Sequence, residues 1–356
     1  MYSEKQAERI LNEYIEHTTA LDSSYVEFAK KKWDSIAKPL RGMGILEDCI
    51  TQIIGILGET RQLNKCVAVM CADNGIVEEG VTQTDSSVTA VVAHNITVGD
   101  ATVTNMAKVA NADVYAYDVG MLTEVDHTYR KKVACGTKNF AKTEAMTRQE
   151  VLNTIINGIQ ISGELKEKGY NIIASGEMGI GNTTTSSAIT AVIFGIESEK
   201  VTGRGAGLTS GQVSHKAEVI KDAIIMHNPN PCDPIDILSK VGGFDIAALC
   251  GLFIGGAYYK IPIIIDGFIS SVAALIASRL CANSKEYMLA SHMSAEPAAT
   301  MIMQELGLLA PLHCGMALGE GTGAVAMMPL LDMAMQVFHN MPTFQQIHIE
   351  EYKPLC

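Results

Sequence analysis

The chain has 356 residues, of which 47% are hydrophobic, enough for one large domain or a domain with a smaller appendage. Its net charge of −12 argues against nucleic acid or an anionic membrane surface as a partner, because both attract basic patches. The charged, amphipathic start is not a secretory signal and no apolar run has the length of a membrane span, so we expect a cytoplasmic protein. The nine Cys include no CxxC pair, which predicts reduced thiols and no zinc site.

Apolar runs of strand length alternate along the chain with stretches of helix length. After helical periodicity over residues 1–60, the predicted strands lie at 65–75, 112–120, 170–182, 260–268 and 286–292. The predicted helices lie at 88–110, 147–168, 184–196, 211–227, 269–283 and 325–339. This alternation predicts an α/β fold with a mainly parallel sheet. We expect a large domain over 61–325 and a small helical lobe formed by 1–60 and 326–356.

The predicted strands end in polar residues or glycine. Asp73-Asn74-Gly75 follows the first strand, and Asp266-Gly267 follows the run that begins at residue 260. In open parallel sheets a ligand binds outside the carboxyl ends of the strands. Several strand ends are therefore expected to converge on one pocket.

The segment SGEMGIGNTTTSS (175–187) joins a predicted strand to a predicted helix. Glycines at such a turn let backbone N–H groups approach an oxyanion, and the helix N-terminus favours negative charge. No Lys follows Gly181 as a Walker motif would require. The segment thus predicts either a phosphate cradle or a glycine-rich turn capped by Asn182 or Thr183.

Two glutamates lie among glycines. A carboxylate inside a phosphate loop repels the ligand, so Glu177 should face a cationic or N–H-bearing part of a substrate, or else tie down the loop. LGEGTGA (318–324) presents Glu320 on a turn, where it is either exposed to solvent or a general base whose pKa is raised by an apolar pocket. The glycine spacing of this motif also fits a dinucleotide fingerprint, but no βαβ unit follows it.

Three further segments carry weaker signals. GRGAGL (203–208) is a glycine-rich turn, and HKAEVI (215–220) places Lys216 on a helix, where a lysine is most often solvated. SHMSAEP (291–297) follows a strand and presents Ser291, His292 or Ser294. A lone His in such a place is more often structural than catalytic.

Together these segments resemble the nicotinate-nucleotide–dimethylbenzimidazole phosphoribosyltransferase family, whose members make the lower-ligand nucleotide of cobalamin. The resemblance is carried, in family order over about 250 residues, by ADNGIVEEGV (72–81), EMGIGNTTTSSAI (177–189), GRGAGL (203–208), VGGFDIAALCG (241–251), IDGF (265–268), SAEP (294–297) and LGEGTGA (318–324). It implies a doubly wound α/β domain with a small helical lobe from both termini, assembled as a homodimer. It also implies transfer of phosphoribose from nicotinate mononucleotide to 5,6-dimethylbenzimidazole, with inversion at the anomeric carbon and without a metal or redox cofactor.

The resemblance also implies roles for individual residues. Glu320 matches the general base that takes the N–H proton of the attacking benzimidazole. Glu177 would face the oxocarbenium-like ribose or the incoming base. The residues expected to bind substrate, with Lys216 as the counter-charge of the phosphate, are Gly176, Gly179, Gly181, Asn182, Thr183, Gly205, Asp266 and Ser294.

The sequence departs from the family pattern in the pocket for the base. There the family has a Ser followed eight residues later by a Gln, whereas this chain has Thr84 and Val92. Thr84 can replace the hydroxyl, but Val92 cannot replace the amide. The more apolar pocket makes benzimidazole, adenine or a phenol such as p-cresol plausible alternatives to dimethylbenzimidazole.

Three alternatives stay open from the sequence. The chain could be the catalytic subunit of a heteromeric phenol-activating phosphoribosyltransferase, a heterodimer with a paralogue. It could be a non-catalytic partner subunit, which the presence of both Glu177 and Glu320 argues against. A dinucleotide-dependent oxidoreductase is disfavoured because ADNGIVEEG stands where the glycine fingerprint would follow the first strand.

Overall fold

The computed structural model describes residues 1–352, and a single parallel sheet forms its centre. The strands are β1 (Lys65–Ala72), β2 (Ala112–Gly120), β3 (Tyr129–Arg130), β4 (Ile172–Met178), β5 (Ile263–Ile265) and β6 (Met288–Ala290). Their order across the sheet is β3-β2-β1-β4-β5-β6, and every neighbouring pair is parallel. The predicted α/β class with a mainly parallel sheet is confirmed.

Helices cover both faces of the sheet. They are α1 (Glu4–Glu16), α2 (Ser23–Ser35), α3 (Ile45–Leu57), α4 (Ser87–Val98), α5 (Thr102–Ala110), α6 (Arg148–Glu167), α7 (Asn182–Phe194), α8 (Ser198–Val201), α9 (Ser210–His227), α10 (Pro234–Val241), α11 (Phe244–Tyr259), α12 (Phe268–Leu280), α13 (Ala299–Leu306) and α14 (Thr322–Asn340), with 3₁₀ turns at Gly75–Glu79 and Ala282–Tyr287. The predicted single stretch at 88–110 is two helices, because the chain turns at Gly99 with φ +88°.

The fully buried strand β1 divides the interior into two cores. Its residues alternate, so that Cys66, Ala68 and Met70 point into one core. Val67 and Val69 point into the other core, on the opposite face of the sheet. The first core is covered by α1, α6, α7 and α9 to α13, and the second by α2 to α5 and α14. Burial on both faces explains the continuous apolar run in the sequence.

The two ends of the chain meet through α2, α3 and α14. The rings of Trp33 and Phe338 lie 5.0 Å apart, and Ile36 forms an antiparallel bridge with Thr343. Helix α1 instead packs on α6, in the core on the opposite face of the sheet. A separate lobe formed by 1–60 and 326–356, of which residues 353–356 lie outside the described part, stays a prediction.

Candidate active site

A cleft of about 450 Å³ lies at the carboxyl ends of the central strands. The loops after β4, β5 and β6 form much of its wall, next to the point between β1 and β4 where the strand order reverses. The expected convergence of strand ends on one pocket is therefore found. The sequence-predicted residues that line the cleft are Thr84, Val92, Glu177, Gly179, Gly181, Asn182, Thr183, Gly205, Lys216, Asp266, Ser294 and Glu320.

Of the residues expected to bind substrate, Gly176 alone lies outside this lining. It is buried in β4, and a Cβ atom at this position would lie 2.6 Å from the carbonyl oxygen of Glu320. The glycine therefore lets the backbone of the Glu320 turn lie directly against the strand. The structure gives it this packing role, and its contact with a phosphate stays a prediction.

Asp266 supports the turn that carries Glu320 through hydrogen bonds to its backbone. The Asp266 carboxylate accepts the backbone N–H groups of Gly321 (3.1 Å), Gly323 (2.7 Å) and Ala324 (3.0 Å), at the N-terminus of α14. Burial raises the pKa of Asp266 to about 7, although these N–H groups favour the ionised form. Asp266 lines the cleft, but its carboxylate is occupied by the backbone, so its main effect is to fix the turn.

Glu320 itself has left-handed backbone, with φ +61°. Its Oε2 atom accepts the N–H of Val103 at 3.1 Å. Val103 lies in the first turn of α5, whose positive dipole end favours a negatively charged carboxylate. Glu320 is half-buried at the rim of the cleft, so its carboxyl group is partly open to a ligand.

Glu177 lies deeper, with 6% of its surface exposed. Burial, followed by the charge of the nearby Asp245 carboxylate, raises its pKa to about 8, whereas the hydrogen bond from Asn182 opposes the shift. Asn182 Nδ2 donates both to Glu177 Oε2 and, at 2.9 Å, to Asp245 Oδ2. The free protein therefore holds Glu177 mainly protonated at neutral pH. On Gly319, with φ +93°, a Cβ atom would lie 2.5 Å from Glu177 Oε1.

A buried cation lies beside the glycine-rich loop. Lys216, on α9, has no exposed surface, and its Nζ donates to Thr183 Oγ1 at 2.8 Å. Burial lowers the pKa of Lys216 to about 8, and the charge of Glu296 partly offsets this. The expectation that a helical lysine is solvated is wrong here. Lys216 adjoins the N-terminus of α7, which begins after Gly181 with φ +96°, so both features favour an anion in the same place.

The wall formed by α4 and its neighbours is mainly apolar. Val81, Val88 and Val92 line it, together with Met178 and Leu318. Such a surface suits the face of a planar ring. The hydroxyl-bearing Thr84 lies at its exposed end.

Several residues in or beside the cleft were not singled out from the sequence. Glu296 Oε1 accepts the N–H of Gly205 at 3.1 Å. His292, which the sequence analysis did name, also lines the cleft, and burial lowers its pKa. Arg204 lines the cleft as an exposed side chain. Asp245 lies beneath the glycine-rich loop, and one signal for it was available, because it is the only charged residue of a long apolar helix.

The arrangement combines an anion site, buried carboxyl groups and an apolar wall in one cleft. Within residues 1–352, no cluster of three or more His, Cys, Asp or Glu side chains is placed to hold a metal ion. No helix of that part is long and apolar enough to cross a membrane. The fold and the cleft define an α/β protein of the doubly wound class, with a cleft suited to an anionic group beside a planar ring.

Comparisons with known proteins identify the family. The family model described as phosphoribosyltransferase matches residues 18–349. The nicotinate-nucleotide–dimethylbenzimidazole phosphoribosyltransferase of Ruminiclostridium cellulolyticum is 44% identical over 96% of this chain and 99% of its own length. That of Clostridium acetobutylicum is 45% identical over 96% and 98%. The chain belongs to this phosphoribosyltransferase family, which confirms the resemblance.

A solved structure agrees with the sequence comparisons. The crystal structure of CobT from Thermus thermophilus is similar to this chain, with a TM-score of 0.87 and 33% identity. The match covers 92% of this chain and 100% of that one. The fold and the family are thus supported independently, and they do not favour the dinucleotide-dependent oxidoreductase that the sequence already disfavoured.

Proposed function

We propose that the protein transfers phosphoribose from nicotinate mononucleotide to 5,6-dimethylbenzimidazole or a similar lower-ligand base, in cobamide assembly. The observation that carries the proposal is the meeting of the buried Lys216 and the carboxyl groups of Glu177 and Glu320 in one cleft. The relatives named above act on the same pair of substrates according to their names. The phenol-activating heteromer is not favoured by these names.

The 5′-phosphate binds at the loop that precedes α7. Lys216 supplies the positive charge there, and Thr183 is fixed by its hydrogen bond to Lys216 Nζ. Gly179 and Gly181 leave the backbone of the loop open to the phosphate oxygens. Gly205 and Ser294 also line the cleft, and a Cβ atom on Gly205 would lie 2.9 Å from Thr183 Oγ1.

In the transfer step the bond between the nicotinate nitrogen and C1′ of ribose breaks, and its electron pair returns to the nitrogen. The pyridinium nitrogen already carries positive charge, so the leaving group needs no acid. A ring nitrogen of the benzimidazole forms the new bond to C1′ from the opposite face, which turns β into α configuration. Its other ring nitrogen releases a proton to Glu320, which the N–H of Val103 holds in place.

In this proposal Glu177 faces the ribose, on which positive charge develops during the transfer. In the free protein the buried carboxyl group is mainly protonated, but a cationic ring nearby lowers the pKa of an acid. Binding of the cationic nucleotide therefore favours loss of this proton. The resulting carboxylate stabilises the oxocarbenium-like ribose electrostatically.

A competition experiment tests the proposal. The purified protein is incubated with nicotinate mononucleotide and equal amounts of dimethylbenzimidazole, benzimidazole, adenine, phenol and p-cresol, and the ribotides are identified by mass spectrometry. We expect a benzimidazole-type ribotide, and a fall in its rate of about 10²–10⁴-fold in Glu320→Gln, because a positioned base contributes that much. A dominant phenolic ribotide would overturn the proposed base specificity. If the purified chain forms no ribotide at all, the proposal that it carries out the transfer by itself is refuted.

The assembly is part of the same proposal. We propose a cytoplasmic homodimer, on the resemblance to the family, rather than a heterodimer with a paralogue. Light scattering on the purified chain measures its mass and so tests for the dimer. Ribotide formation by the chain alone would show that it needs no paralogue.

A further inference from the structure

Asp245 lies just outside the cleft, in the first turn of α11. It is completely buried, and α11 contains no other charged residue. A buried carboxylate without compensation is strongly unfavourable, so the fold must hold this one for a reason. The N-terminus of α11 supplies part of the compensation through its dipole.

The surrounding backbone closes tightly on this carboxyl group. Asp245 Oδ1 accepts the N–H of Ile246 at 3.0 Å. A Cβ atom on Gly179 would lie 2.7 Å from Oδ2, and one on Gly243 would lie 2.6 Å from Oδ1. Two loops therefore approach Asp245 as closely as only glycine allows.

Helix α11 is itself an anchored support. It crosses α6 where a Cβ atom on Gly158 would lie 2.9 Å from the Cα atom of Gly251. The backbones of the two helices are thus in near contact, which leaves little room for sliding. Asp245 is therefore carried by a helix whose backbone is held in close contact with its neighbour.

One amide links this support to the cleft. Asn182 Nδ2 donates to Asp245 Oδ2 at 2.9 Å and also to Glu177 Oε2. The amide has two N–H groups on that nitrogen, so each carboxyl group can receive one. Asp245 therefore sets which way the Asn182 amide points, and Asn182 sets the position of the Glu177 carboxyl group.

We infer that Asp245 is a positioning residue for phosphoribosyl transfer, which acts through Asn182 to fix the carboxyl group of Glu177 beside the substrate. The inference rests on the proposed function and adds a residue that does not touch the ligand. It explains why a carboxylate is retained in an apolar helix under a glycine-rich loop.

The charges around Glu177 give the inference a measurable consequence. Asp245 from α11, Asp266 after β5, Glu320 before α14 and the thiol of Cys71 on β1 face it. After burial, Asp245 is the largest cause that raises the pKa of Glu177. The pKa of Asp245 is itself raised by burial to about 6, so Asp245 is ionised where Glu177 titrates. A neutral residue in place of Asp245 therefore lowers the pKa of Glu177.

The test compares pH–rate profiles of the wild type and Asp245→Asn with nicotinate mononucleotide and dimethylbenzimidazole. Glu177→Gln first identifies the limb of the profile that belongs to Glu177, because that limb is absent in this variant. In Asp245→Asn we expect the limb to move by about one unit to lower pH, and kcat to fall about tenfold with a smaller change in KM. Asp245→Ser is a smaller neutral variant that serves if Asp245→Asn does not fold.

Two controls separate positioning from general destabilisation. Asp118→Asn removes another buried carboxylate, which pairs with Lys132 at 3.0 Å outside the cleft. It should lose stability and keep the limb in place. In an Asn182→Ala background, neutralising Asp245 should cost less than about twofold in kcat, because the link is already broken.

The outcomes decide between the inference and the proposed function. A folded neutral variant with unchanged limb and kcat, or full additivity with Asn182→Ala, overturns the positioning role of Asp245. Absence of ribotide formation by the wild type overturns the proposed function instead.

Discussion

Replacing Gly176 by Ala tests whether close contact between β4 and the following turn places the general base. The new Cβ atom would lie 2.6 Å from the carbonyl oxygen of Glu320, 2.9 Å from its carbonyl carbon and 3.1 Å from the nitrogen of Gly321. All three atoms belong to backbone, so no side chain can rotate away. Ordinary contact begins at 3.4 Å, so the Glu320 turn must move by 0.8 Å or the strand must yield.

The magnitude follows from that displacement. A misplacement of about 1 Å can cost about 10²-fold in rate when the reacting groups no longer align. Asp266 holds the same turn by three N–H groups, so the displacement also strains those hydrogen bonds. We expect kcat of Gly176→Ala to fall about 100-fold, and overpacking to lower the free energy of unfolding by about 1–3 kcal/mol.

The assay measures kcat, KM and urea unfolding side by side. Gly256→Ala is the control, because its Cβ atom would lie 2.5 Å from Ile263 Cγ1 at the amino end of β5, whereas the cleft lies at the carboxyl ends of the strands. It should lose comparable stability and keep kcat within a few-fold. The reasoning is refuted if Gly176→Ala keeps wild-type kcat, or if both variants lose activity in proportion to stability.

Three further changes probe the cleft. Lys216→Met should raise KM for nicotinate mononucleotide about 10–100-fold, because a charged hydrogen bond to the phosphate is lost. Thermal stability should not fall, because the substitution removes a buried charge. An unchanged KM would place the phosphate elsewhere. The free energy of unfolding of Glu177→Gln, relative to that of the wild type, should rise between pH 4.5 and 8 by at most about 1.4 kcal/mol per pH unit. The reason is that the folded wild type retains a proton in this range that the unfolded chain releases. Calorimetry at several pH values checks this, and a constant difference would contradict the raised pKa. Val92→Gln should favour dimethylbenzimidazole over p-cresol in the competition assay by about 2–10-fold, since one hydrogen bond is gained; no change would remove Val92 from the base pocket.

The sequence was sufficient for the fold class and for the location of the cleft. Strand signals are local, because continuous apolar runs such as Cys66–Ala72 already indicate a strand buried on both faces. The glycine-rich segments were found in the same way, since turns need glycine within a few residues. The two-residue strand β3 was not predicted, and the three-residue strand β5 was predicted too long, over 260–268, because such short strands give too little pattern.

Only the tertiary structure decided what the charged groups experience. The N–H groups bound by Asp266 come from residues more than fifty positions away, and the partner of Glu320 is Val103, 217 positions away. A lysine on a helix, such as Lys216, is most often solvated, but in the structure Lys216 is buried against Thr183. Burial and electrostatic neighbours depend on how distant segments pack, whereas periodicity and turn chemistry depend on adjacent residues. The sequence by itself therefore determined most of the strands, the glycine turns and the family. The packing of those elements decided which carboxyl groups have raised pKa values and which accept backbone N–H groups.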